Sequence, residues 1–390
     1  MNINRRRFVG LSAAAIAAPH IALAGQSLNI VCTVGMLADT AKQIAPSNVT
    51  IRALMGPGTD PHAFRQTRSD VVALTKTDLI IRHGLYLEAQ MEDLFAKLGK
   101  RKPILSAGEA VPNQKLLPYD DASAQYDPHV WMDPRLWIHV ADAIATELSS
   151  KLPKNSAEIA ENHARFVATL KRLTDYGRDI LASVPKQARV LLTAHDAFRY
   201  FGSAYDFDVM GVKGISTTSE AGLYRIEELV DLIIERQIKA VFVESSQSDR
   251  NIRALIEGTA ARGHDLKLGG QLFSDAMGPA GTYEGTYVGM IDHNLTTIAR
   301  ALGADAPKRM RKNGTTDKKV KRFNTALKAC KIPISTTLPR WCLIKGSKAQ
   351  MAFIRAPSFG QTIFEYGPDS PGALAYRAFS REFTSRFLSA

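Results

Sequence analysis

The chain has 390 residues, 45% apolar and 23% charged, an ordinary globular composition and enough length for two or three domains with their own cores. Its formal net charge of +12 suggests a nucleic-acid partner only until it is mapped: residues 304–390 hold 17 Lys+Arg against 5 Asp+Glu, and residues 1–303 hold 33 against 33. Without Arg5, Arg6 and Arg7 of a leader, residues 25–303 carry 30 basic against 33 acidic groups, near −3, so the body gives no charge signal for nucleic acid.

The N-terminus, "MNINRRRFVGLSAAAIAAPHIALAGQS", places three arginines before a short apolar run and small residues, Ala22-Leu23-Ala24, at a cleavage position. Pro19 interrupts the run, which is too short to span a bilayer. Arg5-Arg6-x-Phe8 resembles a twin-arginine export signal, and an ordinary secretory leader with an extra arginine predicts the same export. "LAGQ" stands where a lipoprotein needs cysteine, so the expectation is a soluble periplasmic protein without a lipid anchor. The three cysteines, Cys32, Cys330 and Cys342, form no CxxC, which disfavours sulfur-ligated zinc and thioredoxin-like redox chemistry. Cys32 reads as a small buried hydrophobe, and a Cys330–Cys342 disulfide is permitted but not specified.

From residue 28 to 106, "LNIVCTV", "VTIRALM" and "DLIIRHG" read as strands and "MLADTAKQIA", "RSDVVALTKT" and "LEAQMEDLFAKL" as helices. Alternation of this kind predicts a mostly parallel sheet flanked by helices. Next, "NSAEIAENHARFVATLKRLTDYGRDILASV" puts Ile159, Phe166, Leu170, Leu173 and Ile180 on one helical face, with Asn155 and Glu158 at capping-box spacing and Pro185 as a stop. A continuous helix of that length reaches about 45 Å, enough to run alongside two lobes and restrain their motion. The α/β pattern then returns, with strands "ARVLLTAH", "DVMGV", "KAVFVE" and "DLKLGG" and helices "RIEELVDLIIERQ" and "RNIRALIEGTAARG". The expected fold class is therefore α/β, two lobes joined by one long linking helix, plus a basic C-terminal tail. The expected boundaries are 1–24 for the leader, 25–154 for the N-terminal lobe, 155–184 for the linking helix, 185–303 for the C-terminal lobe and 304–390 for the tail.

Three of the nine histidines share one context, after a strand or loop and before a helix: His62 in "GPGTDPHAF", His129 in "YDPHVWMDP" and His195 in "LLTAHDAF". Ligands of α/β sheets collect at strand carboxyl ends, where those loops lie. Asp275 in "GGQLFSDAMG" holds the corresponding place after the last strand of the second lobe. Asp127-Pro128 fixes the loop presenting His129, and Asp133 before Pro134 reads as a helix N-cap. Glu244 in "VFVESS" is divided between a partner of a ligand and a contact between lobes, and Glu220 reads as a brace of the "STTSEAG" loop. His83, His139 and His293 read as satisfied structural groups, and His163 and His264 as surface.

In order along the chain, "TVGMLAD", "GPGTDPHAF", "DPHVWMDP", "TAHDAFRYFG", "GISTTSEAG", "AVFVESS" and "GGQLFSDAMG" resemble successive motifs of the periplasmic zinc- and manganese-binding proteins of ABC importers. The resemblance covers about Leu28 to Leu302. It implies a protein that is not an enzyme, binds one Zn²⁺ or Mn²⁺ per chain through His62, His129, His195 and Asp275, and passes it, as a monomer, to a membrane permease. Family members with glutamate at the third position lean towards manganese or iron; this chain has His195 there. It also lacks the His-rich loop of dedicated zinc proteins, since "VPNQKLLPYDDASAQ" contains no histidine. Three neutral imidazoles and one carboxylate leave a divalent ion in a site of net charge about +1, with nitrogen donors suited to zinc and manganese bound more weakly.

After Leu302, "KRMRKNGTTDKKVKRF" has the composition of a solvated linker, and "RAPSFGQTIFEYGPDSPGALAYRAFSREF" resembles the C-terminal end of ParA-type partition ATPases. No G-x-x-x-x-G-K-[ST] occurs, so no phosphate cradle accompanies that ending. Two alternatives remain at this point. A zinc hydrolase on the same ligands needs an open coordination position and a general base, and the chain has no HExxH. A partition-type function for the tail is opposed by the leader.

Overall fold

The computed structural model describes residues 28–119, 125–307, 309 and 310. The leader, the Cys330–Cys342 pair, the long basic run beyond Met310 and the ParA-like ending lie outside the described residues.

The first lobe is a four-stranded parallel sheet in the order β2-β1-β3-β4, with β1 Asn29–Cys32, β2 Thr50–Ala53, β3 Leu79–Arg82 and β4 Ile104–Ser106. Helices α1 Gly35–Ile44, α2 Arg68–Lys76 and α3 Glu92–Gly99 connect these strands. Thr67 and Asp70 form a complete capping box at the start of α2. The stretch expected as one helix from Leu87 is instead a 3-10 turn, Ala89–Met91, followed by α3. Glu88 explains the break. Its buried carboxylate accepts the N–H groups of His83 at 2.7 Å and Gly84 at 3.1 Å and the hydroxyl of Thr33 at 2.5 Å, so the chain folds back on itself. Leu85 and Tyr86 adopt left-handed φ values of 52° and 65° within that fold-back.

After α4, Pro134–Lys151, a 3-10 turn leads into α5, Ser156–Leu181, the linking helix. Its 26 residues span about 39 Å at 1.5 Å per residue. The expected capping box at Asn155 does not form. The preceding turn holds Asn155 at φ −103°, ψ 7°, not in the extended conformation of a cap, and its amide donates to Glu158 instead. The predicted apolar face, Ile159, Phe166, Leu170, Leu173 and Ile180, is buried along its length. It packs against α1 and α4 of the first lobe and against α9, Tyr287–Ala301, of the second. Gly177 permits the closest approach, since a Cβ there would lie 2.9 Å from Leu295 Cδ2 and from Tyr205 Oη.

In the second lobe, β5 Val190–His195 pairs in parallel with β6 Asp208–Lys213, and β7 Ala240–Glu244 with β8 Lys267–Leu272. These are two ladders with β5 and β7 adjacent. Helices α6 Arg199–Tyr205, α7 Leu223–Glu235 and α8 Arg250–Ala261 complete the lobe. One continuous apolar cluster runs from Ile30 and Trp137, through Leu170 of the linking helix, to Phe242 and Leu295. A smaller cluster around Leu192, Leu229 and Leu255 belongs to the second lobe alone. Lobes that share a close-packed core cannot swing widely without opening it.

The chain stays against the body past residue 303. Ala306 is 8% exposed, and Met310 donates its backbone N–H to Asp292 of α9 at 2.7 Å. Arg309 lies 4.5 Å from the Tyr283 ring centroid and pairs with Glu284 at 3.3 Å.

Candidate metal centre

His62 and His129 belong to two copies of one local device. In Asp60-Pro61-His62 and Asp127-Pro128-His129, the aspartate Oδ1 accepts the backbone N–H of the histidine two residues on, at 2.9 and 3.0 Å. This turn is the one that aspartate side chains favour, and the proline stiffens it. His195 is the last residue of β5, and Asp275 follows β8 by three residues. The four side chains therefore come from one strand end, at His195, and from three loops of the two lobes, and meet between them.

The histidines are 4%, 0% and 0% exposed in chain order, and Asp275 is 1% exposed. One donor atom from each residue lies within 4.8 Å of the others. His62 Nε2 is 3.2 Å from His129 Nε2, His129 Nε2 is 3.3 Å from Asp275 Oδ1, and His195 Nε2 is 3.2 Å from Asp275 Oδ2. Among the described residues neither His195 Nε2 nor Asp275 Oδ1 has a hydrogen-bond partner, although both are buried. Their close approaches thus lack hydrogen-bond geometry, and the atoms face a common point. A buried polar atom without a partner is costly unless something else satisfies it, and a divalent ion would.

Two carboxylates orient two of the rings. Asp127 Oδ1 accepts from His129 Nδ1 at 2.7 Å. Glu244 Oε2 accepts from His195 Nδ1 at 2.5 Å, while its Oε1 takes the His195 backbone N–H at 2.9 Å. Donation from Nδ1 places the hydrogen there and leaves Nε2 as the lone-pair atom, the arrangement found behind metal-bound histidines. Glu244 is thus a partner of His195 within its own lobe. Behind the rings, Trp131 stands 5.1 Å from His129, centroid to centroid, and its indole donates to Ser274 O at 2.8 Å across the lobes.

Without a metal, protons take the ion's place. Burial pushes His129 down, but Asp127 and Asp275 outweigh it and raise the ring to about 9. His195 also sits well above its ordinary value, because Asp275 and Glu244 overcome burial. Burial would lift Asp275, yet His195, His129 and His62 hold it well below the ordinary carboxylate range. Burial lowers His62 to about 4, with Asp275 only partly opposing, so this ring is neutral at pH 7.

The other residues singled out in the sequence fall elsewhere. Asp133 caps α4 by accepting from Arg135 N at 2.9 Å. His83 donates from Nε2 to Pro128 O at 2.7 Å, supporting the His129 loop from behind. His139 meets Lys115, and His293 donates to Gln271 O. Glu220 braces its loop through Lys213 at 2.9 Å. Two surface expectations are corrected. His163 is half-buried against Asp142 of α4 at 2.8 Å, and His264 is half-buried and donates to Ile238 O at 2.6 Å. One contributor was missed. Asp60 Oδ2 crosses to the second lobe and accepts from Thr217 Oγ1 at 2.6 Å and Gln247 Nε2 at 3.0 Å. The repeated Asp-Pro-His was the signal that set it apart.

A buried cluster of three imidazoles and one carboxylate, drawn from two α/β lobes on a shared core, defines a two-lobed protein with a site fit for one metal ion. The chain belongs to the family described as ZnuA, the periplasmic zinc-uptake complex component A, whose model matches residues 30–301. It is 44% identical over 279 residues to the manganese-binding lipoprotein MntA of Bacillus subtilis (strain 168), covering 72% of this chain and 91% of that one. It is likewise 44% identical over 273 residues to the zinc-binding protein TroA of Treponema pallidum (strain Nichols), covering 70% and 88%. The solved structure of the periplasmic zinc-binding protein TroA from Treponema pallidum matches with a TM-score of 0.69 at 43% identity, covering 71% of this chain and 99% of that one. The name of the Bacillus relative is at odds with the expectation of no lipid anchor, and residues 1–27, which bear on it, lie outside the described residues.

Proposed function

We propose that this protein captures a divalent ion, Zn²⁺ or Mn²⁺, in the periplasm and delivers it to the membrane permease of an ABC-type metal importer. The ligands in this reading are His62, His129, His195 and Asp275, two from each lobe, holding one ion per chain. The observation that carries it is the convergence of three Nε2 atoms and a carboxylate on one buried point, with two of the rings fixed by Asp127 and Glu244. Asp275 can bind through one or both oxygens, so the same cage accepts the four-coordinate preference of zinc or a larger coordination number.

The leader supports export by the twin-arginine route, and the near-neutral body gives no support to a nucleic-acid partner. The chain acts as a monomer, and lobes 25–154 and 185–303, with helix 155–184 between them, form its working part, which residues 304–310 extend. Calorimetry of the metal-stripped protein should show one zinc per chain. Replacing His129 with alanine should weaken binding by about tenfold or more, about 1.4 kcal/mol. An unchanged dissociation constant in that variant would end the assignment.

A further inference from the structure

A cleft of about 150 Å³ leads from solvent towards one member of the metal cluster. Its walls are Gly35 at the start of α1, Met55 and Gly56 after β2, and Met277 and Ala280 after β8. Of the four clustered residues, Asp275 alone lines it. Elsewhere around the cluster, hydrogen bonds tie the two lobes together. Asp60, Thr217 and Gln247 bridge the rim beside His62, and Trp131 binds Ser274 O beneath the rings. His129 and His195 back onto Asp127 and Glu244.

The cleft is nearly shut at its base, where Asp275 is 1% exposed. Met277 is the adjustable part of the wall. Its Cε lies 3.0 Å from the point where a Cβ on Gly35 would stand, and an unbranched thioether changes rotamer readily. Anionic oxygens draw a hydrated divalent ion, and the carboxylates Asp39 and Asp275 both line the cleft, with Lys42 in the same wall; of these, Asp275 belongs to the metal cluster.

We propose that this cleft is the passage by which the ion enters and leaves, with Asp275 as the first protein ligand it meets and Met277 as the side chain that swings aside. The inference rests on the metal-binding reading above, and the test separates the two: wild-type stoichiometry reads the site, and variant exchange rates read the passage. Gly56 is the position to fill, because a Cβ there meets nothing within 4 Å among the described residues and its φ is not in the left-handed region. Gly214, just after β6, where a Cβ likewise meets nothing within 4 Å among the described residues, is the control for added bulk away from the cleft.

Zinc uptake and release are to be measured by stopped flow on the whole chain, using a zinc-responsive chelating dye, with thermal melting to establish that each variant is folded. Gly56→Leu should slow uptake and release together by about tenfold, leaving the dissociation constant within about twofold. Met277→Ala should speed both, and Gly214→Leu should change neither. Gly56→Leu and Met277→Ala rates within about twofold of wild type would overturn the proposal, as would equal slowing in Gly214→Leu.

Discussion

Glu244 binds His195 twice, taking the backbone N–H on one carboxylate oxygen and the ring Nδ1–H on the other. This double grip fixes the tautomer and the plane of the ring, so Nε2 stays aimed at Asp275. The sequence left Glu244 divided between two roles, and the geometry selects this one.

Glu244→Ala should therefore weaken zinc binding by about 10–100-fold without touching a donor atom, the usual cost of losing a carboxylate behind a metal-bound histidine. Glu244→Gln, which retains an acceptor, should lose less. Competition titration checks this, and equal affinity for wild type and Glu244→Ala would remove the positioning role.

Protons and metal compete for the same nitrogens. Zinc binding near pH 7 should release protons from His129, raised to about 9, and from His195, held well above its ordinary value, but none from His62, lowered to about 4. Apparent affinity should rise as pH goes from 7 towards 9, by up to about tenfold per unit for each proton released. The metal-free protein should behave oppositely. The stabilisation from protonated His129 is complete below its ordinary 6.5 and is lost as pH rises through about 9. Calorimetry in buffers of different ionisation enthalpy counts the protons, and a count of zero would contradict the electrostatics described here.

Metal preference should follow donor type. His195→Glu replaces a nitrogen donor with an anionic oxygen and should shift the zinc-to-manganese affinity ratio towards manganese. Competition between the two ions gives the ratio directly, and an unmoved ratio would count against the ligand set.

The body should end beyond the last family motif. A chain stopped at Leu302 loses Ala306 and the Met310 N–H that Asp292 accepts, leaving a buried carboxylate short of a donor. Such a loss costs about 1–3 kcal/mol. The stopped chain should melt a few degrees lower than one ending at Lys312, both retaining zinc binding. Equal melting temperatures would show that residues 304–310 contribute nothing.

Much of this was legible because the informative signals are local. Two Asp-Pro-His turns, a histidine ending β5 and an aspartate soon after β8 single out all four clustered residues; the rule that ligands gather at strand ends holds for His195 and Asp275, whereas His129 lies on a loop well past β4. The linking helix announced itself by the spacing of Ile159, Phe166 and Leu170. What was missed depends on distant partners. Asp60 finds Thr217 157 positions away and Gln247 187 away, a pairing no local pattern encodes. The break before α3 arises because Glu88 prefers the N–H groups of His83 and Gly84 to a place in a helical turn. At Asn155 the spacing was right, but the 3-10 turn begun by Pro153 put the backbone in the wrong conformation for a cap.

The central claim is that three imidazoles and one carboxylate hold the ion, and zinc-edge X-ray absorption on the loaded full-length chain tests it most directly. The first shell should be nitrogen and oxygen only, at about 2.0–2.2 Å, with outer-shell scattering from about three imidazoles, falling to about two in His195→Ala. A sulfur shell near 2.3 Å, or an imidazole count that His195→Ala leaves unchanged, would contradict it.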